Sequence, residues 1–267
     1  MKLGIIGTGR MAQAIVGGIL QDKNLAANQI TGTDPSELSK KAFLEMPCGE
    51  NLQWADSVAA TIKDQDAILL AVKPQNMDEI LPVVAQASVT TAVISIAAGV
   101  SVSKLQRHLG TNRPIIRVMP NTPLLVGNGV VAWCGNELTA APQQQMIAIL
   151  FGAVAEVYQV SESEMDAITA LSGSGPAFFY RIIQYLEAAA IAEGLHPDRA
   201  RAFVTGTAIG AARMLQSTGL EPDELVSQVR SKGGTTEAGL SVMESGEIQA
   251  LLTKTIQAAA ERSRELG

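Results

Sequence analysis

The sequence holds two cysteines, two histidines and only 4% aromatic residues among 267 positions. Each scarcity removes a class of chemistry. Cys48 and Cys134 stand far apart, so no disulfide framework is expected and a reduced, cytoplasmic setting fits. No Cys/His cluster has zinc spacing, so no metal site is expected. His108 and His196 both read as helix-end residues, which argues against a dehydrogenase built on a histidine acid–base. No G-x-S-x-G nucleophile elbow occurs. Net charge is −6 with no block of one sign, so neither nucleic acid nor an acidic membrane surface is an expected partner. No apolar run approaches the roughly 20 residues that span a bilayer. The opening "MKLGIIGTG" is too short, and too broken by glycine, for a signal peptide. What chemistry remains must come from a cofactor, backbone donors and hydroxyls.

What is present is order. Through residue 160, apolar strands ("KLGIIG", "DAILLAVKP", "AVISIAAG") alternate with helical patterns ("MAQAIVGGILQD", "SELSKKAFLEM", "NMDEILPVVAQA", "SVSKLQRHLG"). Ser101 or Ser103 is placed to cap the last of these helices. Continuous apolar strands between helices predict a parallel sheet covered on both faces. A short strand, "EVYQVS", is expected to close the sheet. After Ser161 only helical periodicity remains, ending in "EIQALLTKTIQAAAERSRELG". The predicted fold class is therefore α/β: an N-terminal Rossmann, doubly wound, mostly parallel sheet over residues 1–160, followed by an all-α C-terminal domain over 161–267. Small-residue faces, such as Thr205, Ala208 and Ala212, suggest that the helical part completes its core against a second subunit.

"GIIGTGRMA" supplies G-x-G-x-x-A as Gly7, Gly9 and Ala12, after a strand and at a helix start. Gly7 permits the tight turn and Gly9 lets a pyrophosphate approach the backbone. Ala12 lets the helix pack closely on the strand. Thr8, Arg10 and Met11 complete the expected cofactor loop. Asp34 ends the second strand and suits the adenine-ribose hydroxyls, which favours NAD; it also suits a turn in "DPSE". Ser36, Lys40 and Lys41 would instead serve a 2′-phosphate, so NADH and NADPH both stand as the expected cofactor. Ala71, Val72, Lys73 and Pro74, Ala97, and Asn121 in "VMPNTP" follow later strands, where such a sheet places its ligand crevice. Asn121 is suited to a carboxamide or ribose, and each of these segments also reads as turn punctuation.

Two further segments lie among the helices. "LSGSGPAFFY" puts Ser174 and its neighbours just before a long helix, as an elaborate cap or as a close-approach loop at the nicotinamide end. "SKGGTTEAGL" combines Gly233 and Gly234 with the hydroxyls of Ser231, Thr235 and Thr236 at another helix start. Successive N–H groups in a Gly-Gly turn suit an anion, and the helix dipole adds to that. A carboxylate is the expected guest; a capped turn is the alternative.

Taken in order on this Rossmann pattern, "AVKPQ", "VMPNTP", "ALSGSGPAFFY" and "VRSKGGTTEAGL" make the chain similar to the Δ1-pyrroline-5-carboxylate reductase family over essentially its whole length. The resemblance implies reduction of a cyclic imine, pyrroline-5-carboxylate, to L-proline by NADPH or NADH. It also implies a helical domain that forms homodimers, with decamers assembled from dimers and facing sites across the dimer. Ser231, Gly233, Gly234, Thr235 and Thr236 would surround this small-molecule substrate, with Thr236 donating to the ring nitrogen as the catalytic group. Members that use NADPH often carry Ser, Asn or Arg where this sequence has Asp34. A 3-hydroxyacid or 6-phosphogluconate-type dehydrogenase would need a lysine and an asparagine near Phe179 and Ile183, both apolar here. A non-catalytic NAD(P)-binding protein would have no use for the second loop.

Overall fold

The computed structural model describes residues 1–21, 29–50 and 52–266. Asp22 and Gly267, which the sequence assigns to helix ends, lie outside them. The chain forms β1 (Lys2–Ile6), α1 (Arg10–Gln21), β2 (Gln29–Thr33), α2 (Glu37–Leu44), β3 (Leu52–Trp54), α3 (Val58–Thr61), β4 (Ala67–Leu70), α4 (Met77–Val84), β5 (Ala92–Ser95), α5 (Val102–Leu109) and β6 (Ile115–Met119). It continues through β7 (Gly129–Gly135), α6 (Ala141–Phe151), β8 (Ala155–Gln159) and α7 (Met165–Ile168). The remaining helices are α8 (Gly175–Ala192), α9 (Pro197–Thr218), α10 (Pro222–Val229), α11 (Thr235–Ser245) and α12 (Ile248–Leu266).

The strands form one sheet in the order β3-β2-β1-β4-β5-β6-β7-β8. All neighbours are parallel except β6 and β7. The order reverses between β2-β1 and β1-β4, which is the switch point of a doubly wound sheet. Both faces are covered, as the apolar strands predict. In β4, Ala67 and Leu69 join the core layer that holds Ile15, Val16 and Phe151, while Ile68 and Leu70 join Leu81, Val84 and Leu105 on the other side. Alternation of side chains across the pleat explains why the strand reads as an unbroken apolar run. Ser101 is the residue that caps α5, accepting from Lys104 N–H at 3.1 Å.

One short strand, β3, has no counterpart in the sequence reading. It is three residues long at the sheet edge and only partly buried, so neither length nor alternation announces it.

The chain divides into two compact units, residues 1–174 with 258–267, and residues 175–257. Residue 160 marks where the strands end. The following segment stays with the sheet unit through Arg117 on β6, which is buried and bonds Glu162 and Asp166, each at 3.4 Å. Ser263, near the end of α12, donates to the same Asp166 at 2.7 Å. In the second unit α8 and α9 pack together, tied by Arg201 and Glu187 at 3.0 Å. Within that unit only Gly175 and Ala200 are buried among the described residues, whereas Phe179, Phe203 and Val242 are 64%, 60% and 71% exposed.

Candidate active site

The first candidate surface is the turn from β1 into α1. Gly7 has φ +92°, and a Cβ there would lie 2.8 Å from the Ala71 carbonyl oxygen, so the position admits only glycine. Gly9 differs: a Cβ there would meet nothing within 4 Å. Its space is open although nothing in the fold itself needs it open, which is the room a pyrophosphate requires. The buried Thr8 hydroxyl has no hydrogen-bond partner among the described residues. The first N–H groups of α1, from Arg10, Met11 and Ala12, have no intrahelical partners and point from the positive end of the helix. The residues present therefore fit a dinucleotide.

Asp34 is half-buried and fixed. Its carboxylate accepts from Thr8 N–H at 2.8 Å and from Ser36 N–H at 2.9 Å, tying the glycine turn to the end of β2. Ser36 caps α2 by accepting from Ser39 N–H at 3.3 Å. Lys40 lies over the Trp54 ring at 5.4 Å, and Lys41 is exposed beside Glu45 at 4.0 Å.

A crevice of about 270 Å³ follows the C-terminal ends of β4, β5 and β6. Met11, Ala71, Val72, Lys73, Pro74, Ala97 and Asn121 from the sequence reading all line it. Met119, from the "VMPNTP" segment, and Gly173, from the "SGSG" segment, line it as well; a Cβ on Gly173 would collide with Met119 Cε. A larger hollow, about 680 Å³, opens at the opposite ends of β4 and β5 between Asp64, Gln65 and Ser88. It has no glycine turn and no helix start, so size alone does not identify the site.

Asn121 is buried and mostly engaged. Its Oδ1 accepts from Val130 N–H at 2.9 Å, and its Nδ2 donates to Ser172 Oγ at 3.3 Å. One amide hydrogen is left for a ligand. The "SGSG" segment also differs from an open loop. Thr169–Gly173 forms a π-helical turn closed by Ser174 N–H to the Thr169 carbonyl at 2.9 Å. Such turns recur at functional sites because they bulge a helix without ending it.

The second candidate surface belongs to the helical unit. Ser231 to Gly234 is a tight turn closed by Gly234 N–H to the Ser231 carbonyl at 2.9 Å, with Gly233 at φ +71°. Gly233 N–H is also taken: Glu237 Oε2 accepts it at 2.7 Å, and Oε1 of Glu237 meets Arg230 Nη2 at 3.3 Å. These contacts hold the Glu237 carboxyl below its usual range, the Gly233 N–H first and Arg230 second. The Gly-Gly N–H pair expected to face an anion is thus engaged within the protein. The donors left over are the N–H groups and hydroxyls of Thr235 and Thr236 at the start of α11, and the Ser231 hydroxyl.

Two buried groups lie elsewhere: Arg113, which the sequence reading passed over, and Cys134. Arg113 donates to the carbonyls of Val84, Ala85 and Ala87 at 3.4, 3.0 and 3.1 Å, closing the end of α4; burial draws its pKa down. The Cys134 thiol is pushed up to about 11 by burial first and then by Glu162, against the opposing pull of Arg117. It remains a protonated, unreactive core group. Among the described residues no cluster of His, Cys, Asp or Glu could hold a metal ion, and no helix is long and apolar enough to cross a membrane.

Comparison with known proteins agrees with this geometry. Residues 162–266 match the family model described as pyrroline-5-carboxylate reductase dimerisation, and residues 2–99 match that of NADP oxidoreductase, coenzyme F420-dependent. The chain is 35% identical over 266 residues to a pyrroline-5-carboxylate reductase of Arabidopsis thaliana, covering 99% of this chain and 95% of that one. It is 36% identical over 264 residues to that of Pasteurella multocida, covering 98% and 96%. Among solved structures, pyrroline carboxylate reductase of Plasmodium falciparum with NADP bound superimposes with a TM-score of 0.90 at 28% identity, covering 100% of this chain and 98% of that one. A pyrroline-5-carboxylate reductase from Coxiella burnetii gives 0.88 at 34% identity, covering 99% and 98%.

Proposed function

The chain belongs to the pyrroline-5-carboxylate reductase family, and we propose how its residues divide the work of that reaction. It is an NAD(P)H-dependent oxidoreductase that reduces Δ1-pyrroline-5-carboxylate to L-proline, the last step of proline biosynthesis. The reduced nicotinamide supplies the hydride. An imine carbon is already electrophilic, and it becomes a good acceptor once its nitrogen is protonated or hydrogen-bonded. The protein therefore needs alignment and a donor at nitrogen rather than a strong base.

Gly7, Thr8, Gly9, Arg10, Met11 and Ala12 cradle the pyrophosphate, with Asp34 and Ser36 at the adenine ribose. Ala71, Val72, Lys73, Pro74 and Ala97 line the path of the nicotinamide half. Asn121 has one amide hydrogen for the cofactor and uses the other to hold Ser172; Ser174 closes the π-helical turn beside it. At the second surface Ser231, Gly233, Gly234 and Thr235 form the carboxylate-binding loop, and the Thr236 hydroxyl donates to the ring nitrogen. The observation that carries this reading is the start of α11, where two adjacent threonines present hydroxyls and N–H groups that no protein group among the described residues uses.

The loss of reduced-nicotinamide absorbance on adding pyrroline-5-carboxylate measures turnover. Thr236→Ala is expected to lower kcat about 100-fold or more, the cost of a lost transition-state donor. Thr236→Ser should restore much of it. An unchanged kcat and KM in Thr236→Ala would remove Thr236 from the mechanism.

The enzyme works as an oligomer. We propose a homodimer, with dimers assembling further into a decamer, on the strength of the apolar side chains left exposed in the unit of residues 175–257. Sedimentation equilibrium at micromolar concentration tests it, and a stable monomer would refute it.

A further inference from the structure

The last turns of α12 pack on a wall of the crevice. From residue 258 onward this helix belongs to the sheet unit. Ala260 and Ser263 are its buried residues and Leu266 is half-buried, each three positions from the next and so on one face. Glu261, Arg262, Arg264 and Glu265 are exposed and pair among themselves. The buried face meets Gly99, in the loop between β5 and α5. A Cβ on Gly99 would lie 2.7 Å from Leu266 Cβ and 2.9 Å from the Ser263 carbonyl oxygen, so the helix lies directly on the loop backbone. Ile96, Ala97 and Ala98 of that loop line the crevice.

Polar contacts fix the same loop. Ser263 Oγ donates to Asp166 Oδ1 at 2.7 Å, and Arg117 Nη2 meets that oxygen at 3.4 Å. Arg117 Nη1 reaches Glu162 Oε1 at 3.4 Å, and Glu162 Oε1 accepts the Val102 N–H at 2.6 Å, where the loop enters α5. At the other end Ser95 Oγ accepts the Ala97 N–H at 3.3 Å. Charge-assisted hydrogen bonds are about twice as strong as neutral ones, so this chain holds the loop more firmly than packing alone. Ser263, Leu266, Asp166, Arg117 and Glu162 do not line the crevice themselves, so they reach it only through the loop.

We propose that Ser263 and Leu266, anchored by Asp166, are positioning residues for the nicotinamide: they set the Ile96–Ala98 wall against which it is aligned. This rests on the reading that the crevice takes the nicotinamide half of the cofactor. Calorimetric titration of the intact enzyme compares NADH with ADP-ribose, which has no nicotinamide to meet the wall. Ser263→Ala is expected to weaken NADH about three- to tenfold, the size of one hydrogen bond's contribution, and to leave ADP-ribose unchanged. Asp166→Ala should weaken NADH further, and Asp166→Asn, which keeps an acceptor for Ser263, should restore most of the affinity. In the weakened variants kcat should fall as well, because a misplacement of about 1 Å can cost up to about 100-fold. A merely structural role would lower the melting temperature and leave the ratio of NADH to ADP-ribose affinity unmoved, and that result would overturn the proposal. Thr122→Trp, at an exposed residue that lines the crevice from the β6 side, separates the two readings. NADH affinity untouched by Thr122→Trp would overturn the crevice reading and this proposal with it. Affinity lowered by Thr122→Trp but not by the Ser263 and Asp166 variants would overturn the positioning role alone.

Discussion

Gly234 offers a sharp test of the proposed substrate loop. Its backbone, at φ −84° and ψ 170°, is extended and open to any residue, so Gly234→Ala carries no conformational penalty. The obstacle is steric and local. A Cβ there would collide with Ser231 Oγ and lie 3.0 Å from the Ser231 carbonyl oxygen. The hydroxyl would have to rotate away from the position assigned to the substrate carboxylate. A hydrogen bond to a charged group contributes about 1.5–3 kcal/mol, so kcat/KM should fall about 10- to 100-fold, mainly through KM. Because Ser231 is exposed, stability should change by less than about 1 kcal/mol. The decisive measurement is a double-mutant cycle with Ser231→Ala. Once the hydroxyl is gone, Gly234→Ala removes little more, so the two losses should be far from additive. Additive losses in kcat/KM, or a fully active Gly234→Ala enzyme, would refute the reasoning.

Other expectations follow from the same geometry. Gly7→Ala should both destabilise the fold and weaken cofactor binding, since φ +92° and the Ala71 carbonyl forbid a side chain; Gly9→Ala should leave melting temperature intact and reduce only the thermal shift produced by NADH. Arg113→Met uncaps three carbonyls at the end of α4. It should cost about 2–4 kcal/mol, read as a drop of about 5–10 °C in Tm, and a change under 2 °C would contradict the capping role. The Glu237 latch has a defined pH direction. Its carboxyl is depressed in the folded protein, so the latch is fully formed above the ordinary carboxylate range and is lost only as pH falls through the lower folded value. The Gly233 amide resonance should titrate below the range of a free glutamate; a normal glutamate midpoint would show the latch absent in solution.

The sheet was legible because its determinants are local. Parallel strands buried on both faces are short apolar runs, and Gly7 declares its turn because only glycine accepts φ +92°. β3 was illegible for the opposite reason: three half-exposed residues at an edge are fixed by pairing with β2 rather than by their own composition. "SGSG" reads as a loop because those residues favour turns, yet the carbonyl of Thr169 finds a donor five residues on and the helix continues. The Gly233 N–H illustrates a signal that was present and unread. Glu237 is the third residue of α11, the position from which a glutamate commonly reaches back to a free N–H. Arg113 and Arg117 carried no such signal, because their partners lie far away in sequence.

Helical periodicity in residues 175–257 shows that each helix has an apolar face but not what covers it. In the single chain Phe179, Phe203 and Val242 stay exposed, and no core forms within that unit among the described residues. Burying one such side chain stabilises by about 1.5–3 kcal/mol, so a chain with many of them open has a strong drive to associate. The loop proposed to bind substrate is carried between α10 and α11 of this same unit. Its N–H and hydroxyl donors can be held to hydrogen-bonding accuracy only if those helices are held, and the helices are held by association. Assembly and substrate affinity are then linked: a substitution that weakens association, such as Phe203→Asp, should raise KM for pyrroline-5-carboxylate at low enzyme concentration. The residues proposed to hold the cofactor belong to the sheet unit, which has its own core in both layers, so cofactor binding should persist in the dissociated chain.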